Sequence, residues 1–216
     1  MTKLLFRIDP YCGEFQAEIT SVNGDKVCLN QTCFFPRGGG QVGDTGELSG
    51  YRVIDTIKEE LEVQHVLDRV PMFSIGQIVQ GRIDWDRRYR IMRLHSASHI
   101  VYYAMQEVFG SKCKPSSSGL LDEMKDRSDY FFDSPLDKEK LLEVEARVNQ
   151  VTSRNLPISH EPEFAESERI LWKVELYEPM ACGGTHVRNT VEIGRIQLRR
   201  GSKPGKGKER IELTLA

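Results

Sequence analysis

Alternation of apolar and polar side chains dominates the first ninety residues, and a three-and-four spacing replaces it after about Asp86. Gln16 to Val22 and Lys26 to Gln31 flank Asn23-Gly24-Asp25, a hairpin signal, because Asn and Gly accept the positive φ of a tight turn. Further alternating runs at Leu48 to Ile57, Glu60 to Leu67 and Gln77 to Ile83, punctuated by Gly76 and Gly81, predict five or six short strands and no helix, the pattern of a small β-barrel. From Arg90 to Phe109 apolar residues recur at Ile91, Leu94, Val101, Met105 and Val108, which predicts a helix with one buried face, ended by Gly110. A second helix is expected from Asp137 to about Arg154, capped near Ser134 or Asp137, with Leu141, Val144, Val148 and Val151 turned inward. Strands are expected over Asp129 to Phe132, Val191 to Arg199 and Arg210 to Leu215, a short helix around Ala165 to Ile170, and a flexible loop from Pro115 to Gly119. The expected fold is α+β: a small β-barrel over 1–88, containing a glycine-rich stretch, then an α+β domain with helices on an antiparallel sheet over 89–216.

Composition narrows the class. The 216 residues, 39% hydrophobic and 29% charged, suffice for two buried cores and do not resemble a disordered chain. No apolar run approaches the roughly 20 residues that span a bilayer, and the opening MTKLLFRIDP lacks the apolar core of a signal peptide, so a cytoplasmic location is expected and a membrane partner is not. Five widely spaced cysteines, Cys12, Cys28, Cys33, Cys113 and Cys182, argue for free thiols or metal ligands over a disulfide framework. The net charge of -2 conceals an asymmetry: Arg195, Arg199, Arg200, Lys203, Lys206, Lys208 and Arg210 face Glu209 alone, a local balance of +6. Such a patch attracts a polyanion, or else protects a solvated strand edge.

Two compact residue pairs carry the candidate chemistry. RLHSASH sets His95 and His99 one turn apart on a helix, so that both imidazoles leave the same face, at the edge of the apolar stripe. Two histidines are half a zinc shell. Cys182-Gly183-Gly184-Thr185-His186 supplies a thiolate and an imidazole on a segment whose glycines let the backbone turn sharply. Together the pairs make a His3Cys tetrahedral set for one zinc ion per chain, whereas His65 and His160 have no partner at ligand spacing. Gly38-Gly39-Gly40 lacks a following GK[ST], so a phosphate-binding loop for ATP or another nucleotide cofactor is not indicated.

HSASH, with CGGTH at a distance after it, resembles the editing domain of alanyl-tRNA synthetases and the freestanding AlaX editing proteins. The segment Thr32 to Gly46 resembles the glycine-rich stretch that precedes that domain, and Asn189 to Gly194 resembles the stretch immediately after its second ligand pair. With no synthetase catalytic domain ahead of residue 1, the resemblance implies the freestanding, medium-length type. It implies a hydrolase that removes serine, and in one reading glycine, from mischarged tRNA(Ala) while sparing alanine, with zinc activating a water or orienting the ester. In such a site Ser98 and Gln41 are the candidates to read the serine hydroxyl and Cys182 joins the catalytic set. Gly38, Gly39, Gly40, Thr185, Arg199, Arg200, Lys203, Lys206 and Lys208 are candidates to meet the tRNA. Arg82, Arg87, Arg88, Arg90 and Arg93 either track the acceptor stem or form internal salt bridges. The alternatives are an editor of Ser-tRNA(Thr), whose family lacks the glycine-rich barrel, and a zinc module that binds RNA without hydrolysis.

Overall fold

A computed structural model describes residues 2–116, 119–164 and 170–216. They form two compact units, one of residues 1–38 and 42–89, the other of 39–41 and 90–216. The short glycine-rich stretch expected within the barrel therefore gives Gly39–Gln41 to the second unit.

In the first unit β1 (Lys3–Leu4) leads into a helical turn α1 (Leu5–Ile8) and pairs in parallel with β4 (Gln31–Thr32). The remaining strands are β2 (Glu14–Asn23), β3 (Lys26–Leu29), β5 (Gly46–Leu48), β6 (Tyr51–Glu59), β7 (Glu62–Leu67) and β8 (Ile78–Ile83). They hydrogen-bond in the cyclic order β2-β3-β7-β6-β5-β8, a closed barrel. Period-two burial, seen plainly in β7 and β8, sends alternate side chains inward. Ile19, Leu29, Phe34, Leu48 and Leu67 fill the interior. Leu48 to Ile57 is two strands rather than one, because Ser49 and Gly50 both take positive φ and turn the chain between them.

Arg88 and His65 both sit fully buried in the barrel unit. Arg88 donates from Nε to Asp44 at 3.0 Å, from Nη1 to the Pro10 carbonyl and from Nη2 to the Cys33 carbonyl. It is thus committed to an internal ion pair, the internal alternative for this arginine group. Arg87, Arg90 and Arg93 likewise donate to the carbonyls of Gly43, Glu123 and Ile193. The other group, His65, donates from Nδ1 to the Val27 carbonyl and meets Thr32 Oγ1 with Nε2.

One expectation fails here: Cys12 and Cys33 form a disulfide, with a Cα separation of 5.9 Å. Their 21-residue spacing hid the pairing, since the β2–β3 hairpin lies between them and returns the chain on itself. Cys28, Cys113 and Cys182 are free.

The helix α2 (Trp85–Phe109) begins five residues earlier than its periodicity suggests and belongs to the second unit from Arg90 on; there it is followed by β9 (Leu120–Leu121) and β10 (Asp126–Phe131). α3 (Lys138–Thr152) starts at Asp137, whose carboxylate accepts from the Glu139 and Lys140 amides. β11 (Ser159–Pro162), β12 (Ile170–Lys173) and β13 (Met180–Ala181) make a small antiparallel sheet. β14 (Ile196–Arg200) and β15 (Lys208–Leu215) complete a second, ordered β14-β15-β10-β9. Val191 to Ile193, expected as strand, lie in the helical turn α4 (Thr190–Ile193), because Asn189 and Glu192 close a capping box. Residues 165–169 of the expected short helix, and 117 and 118 of the expected loop, lie outside the described residues. Among the described residues no helix is long and apolar enough to cross a membrane.

Burial lowers the His65 pKa from 6.5 to about 4. Between those values the unfolded chain binds a proton that the folded barrel refuses, so stability falls as pH drops through that window. The loss is expected to reach about 3 kcal/mol by pH 4. Denaturant midpoints measured from pH 7 to 4 should fall in the wild type, and His65→Asn should remove about 3 kcal/mol of that fall while the share of the other buried histidines remains.

Candidate metal centre

One helix and one loop build the centre. α2 presents His95 and His99 a turn apart, their rings 5.0 Å from one another. The loop after β13 returns Cys182 and His186 to the same point. One ligand atom from each of the four residues lies within 4.8 Å of every other. Cys182 Sγ is 3.4 Å from His95 Nε2 and 3.2 Å from His186 Nε2. A tetrahedral zinc with a sulfur at ~2.3 Å and a nitrogen at ~2.0 Å holds those two atoms ~3.5 Å apart, so the spacing fits. His99 Nε2 is buried with no hydrogen-bond partner among the described residues, the condition of a nitrogen kept for a metal.

The electrostatics suit a cation. Burial, and then the neighbouring imidazoles, hold His95 and His186 far below the ordinary histidine value. His99 falls to about 3, again mainly through burial. All three are neutral at physiological pH, with lone pairs to give. Burial pushes the Cys182 thiol up to about 11, so a bound cation is what would make it a thiolate.

A second layer aims the ligands. His95 Nδ1 donates to Gln41 Oε1 at 2.8 Å, which leaves the Nε2 lone pair free. The same oxygen accepts from the Thr185 amide, and Gln41 Nε2 donates to Thr185 Oγ1 at 3.0 Å. Gln41 reaches this place because Gly40, at φ 91°, passes directly over Gly119, where a Cβ would overlap the Gly119 carbonyl oxygen. Gly184 is equally constrained: a Cβ there would strike the His95 ring. His186 Nδ1 lies 3.3 Å from Ser96 Oγ, which also accepts from the Val187 amide. His160 Nε2 donates to the Cys182 carbonyl at 2.8 Å, and Trp172, fully buried, packs 4.9 Å from the His99 ring.

A cavity of about 480 Å³ opens beside His95 and His99, with Gly39, Gly40, Ser98, Tyr102 and Asp126 in its wall. Ser98 therefore lines the cavity, while its Oγ donates to the His95 carbonyl at 2.9 Å. Gln41 and Thr185 are buried beside it and bond to one another rather than forming its wall, and Gly38 is exposed. The basic segment is less free than its count implies. Arg199 pairs with Glu212 at 2.8 Å, Arg200 with Glu209 at 2.7 Å, and Arg210 with Asp129 at 2.7 Å. Glu212 and Asp129 lie outside the stretch that gave +6. Lys203 stands 3.8 Å from Glu209, Lys208 lies over the Phe131 ring, and Lys206 is exposed. Ser96 sits inside the HSASH signal, but nothing local marked His160, Trp172 or Asp126.

Comparison with known proteins gives this centre its class. Residues 177–212 match the threonyl and alanyl tRNA synthetase second additional domain, and residues 7–87 match tRNA synthetases class II (A). The chain is 34% identical to an alanine–tRNA ligase of Ignicoccus hospitalis, with 98% of the chain aligned, yet it spans only 26% of that ligase. It is 33% identical to the alanyl-tRNA editing protein AlaX-M of Pyrococcus horikoshii across all of the chain and 98% of the relative. The corresponding protein of Methanosarcina acetivorans is also 33% identical, with 99% of it covered. The chain belongs to the AlaX-M family of alanyl-tRNA editing proteins.

Gln41→Ala should free the His95 ring and weaken metal binding by about 10- to 100-fold. Competition against a chelator of known zinc affinity measures this, and unchanged affinity would remove Gln41 from the centre.

Proposed function

We propose that this protein is a zinc-dependent deacylase that hydrolyses Ser-tRNA(Ala), and Gly-tRNA(Ala), in trans while sparing Ala-tRNA(Ala). The observation that carries the reading is the cavity whose wall is formed in part by His95 and His99 of the ligand cluster. The names of the AlaX-M relatives support it. His95, His99, Cys182 and His186 would hold one zinc. Bound there, zinc supplies Lewis acidity toward the ester carbonyl or its attacking water. The protein's own part is to aim the imidazoles through Gln41, Ser96 and Thr185, and to fix the acyl group in the cavity. Ser98 is the hydroxyl placed to read a serine side chain, and Gln41 contributes by orienting His95.

A polar group satisfied by a serine hydroxyl and left unpaired by an alanine methyl contributes about 1–3 kcal/mol, or about 5- to 150-fold in rate. The functional division is a barrel domain over 1–88 and an editing domain over 89–216, working on tRNA in the cytoplasm. Zinc-loaded protein is to be incubated with seryl-, glycyl- and alanyl-tRNA(Ala) and with seryl-tRNA(Thr). The seryl ester should be deacylated, the alanyl ester at least about tenfold more slowly, and the threonine tRNA spared; the glycyl ester, which brings no hydroxyl, shows whether the cavity also takes the smallest side chain without that contact. Preference for seryl-tRNA(Thr) would reassign the substrate, and tight tRNA binding with no hydrolysis would make the chain a zinc-containing RNA-binding module.

Lys203, Lys206 and Lys208 are proposed to meet phosphate. Neutralising Lys203, Lys206 and Lys208 together should flatten the dependence of log affinity on log salt by about 1 to 3. An unchanged slope would assign them to solubility.

A further inference from the structure

Asp126 opens β10 with a buried side chain, 6% exposed, in the wall of the cavity that His95, His99 and Ser98 also line. Ser128 Oγ donates to its Oδ2 at 2.9 Å. Its Oδ1 faces the bare backbone of Gly119, where a Cβ would stand only 2.7 Å away. The Arg127 amide also donates to the carboxylate and the Arg127 charge favours it from a distance, but that guanidinium pairs with Asp122 at 2.8 Å, and among the described residues no Lys or Arg forms an ion pair with Asp126. Burial pushes its carboxyl up to about 6. A buried carboxylate without a cation costs stability, and one kept in the wall of a cavity beside metal ligands marks a place where a cation arrives with a ligand. Lys114, the other charged side chain of the wall, is exposed.

An aminoacyl ester brings such a cation: its ammonium sits on the carbon next to the scissile carbonyl. We propose that Asp126 receives the α-ammonium group of the aminoacyl ester and so fixes the carbonyl and side chain relative to His95, His99 and Ser98. The inference rests on reading this cavity as the deacylase pocket. Because every amino acid carries the group, Asp126 does not separate serine from alanine. It separates aminoacyl esters from other acyl esters, and pinning one end of so short a group sets where its side chain falls.

The test compares seryl-tRNA(Ala) with the glyceric acid ester of the same tRNA, in which hydroxyl replaces the α-amino group. Wild type should prefer the seryl ester, and Asp126→Asn should cut that preference in kcat/KM by about 10- to 100-fold, since hydrogen bonds to charged groups are the strong ones. Equal losses on both esters, as from a structural role or from contact with the side-chain hydroxyl, would overturn the proposal, as would no loss on either. A second readout separates it from the proposed reaction. Calorimetric binding of the serine 3′-amide of 3′-amino-3′-deoxyadenosine, set against the matching glyceramide, needs no hydrolysis. If wild type binds the amino compound more tightly and Asp126→Asn abolishes the difference, the inference holds even where deacylation fails. If wild type binds both alike, it falls.

Discussion

Three imidazoles and a thiol have to be kept dry, uncharged and aimed at one point before any metal arrives, and much of the second unit answers to that demand. Burial, and after it the neighbouring imidazoles, depress the basicity of His95, His99 and His186, but they do not choose which nitrogen would face a metal. For His95 the choice is made by a neighbour, Gln41, which takes the Nδ1 proton; Ser96 lies beside Nδ1 of His186. The crowding this requires explains the glycines, since Gly40 and Gly184 sit where a single added carbon would collide with backbone or ring. Metal sites depend on such outer partners almost as heavily as on the ligands themselves.

The same constraint shapes the surroundings of the ligands. His95 and His99 are held by a regular helix, and Ser98 lines the same cavity from it, so the three side chains are carried on one rigid element. The loop bearing Cys182 and His186 is tied back by the His160 bond to the Cys182 carbonyl. Trp172 closes the far side of His99 with a ring whose Nε1 has no partner among the described residues. Asp126 stands apart from this pattern. It is neither ligand nor support, and a ligand cation gives its buried charge a purpose.

Locality decides how much of this could be read from the chain alone. The clustering of His95, His99, Cys182 and His186 was visible because four-residue spacings on a helix and on a glycine turn bring side chains together by local geometry, and the alternation of β7 and β8 showed their inward faces. Interactions set by distant parts of the chain were not visible. The disulfide of Cys12 with Cys33 depends on the hairpin between them, which returns the chain on itself, and Gln41 joins the second unit through the close passage of Gly40 over Gly119 and its bonds to His95 and Thr185. Glu212 and Asp129 pair across strands with Arg199 and Arg210, so a charge count along one segment overstated the free charge. The turn α4 was missed for a different reason: its capping box is local, but Val191 to Ile193 have an apolar pattern that also suits a strand.

X-ray absorption at the zinc edge of protein loaded with one equivalent of zinc tests the centre most directly. The geometry predicts a four-coordinate ion with three nitrogens at ~2.0–2.1 Å and one sulfur at ~2.3 Å, and a shell that loses its sulfur in Cys182→Ser. A spectrum of light scatterers only, unchanged by that substitution, would place the zinc elsewhere and contradict the account of His95, His99, Cys182 and His186 as its holders.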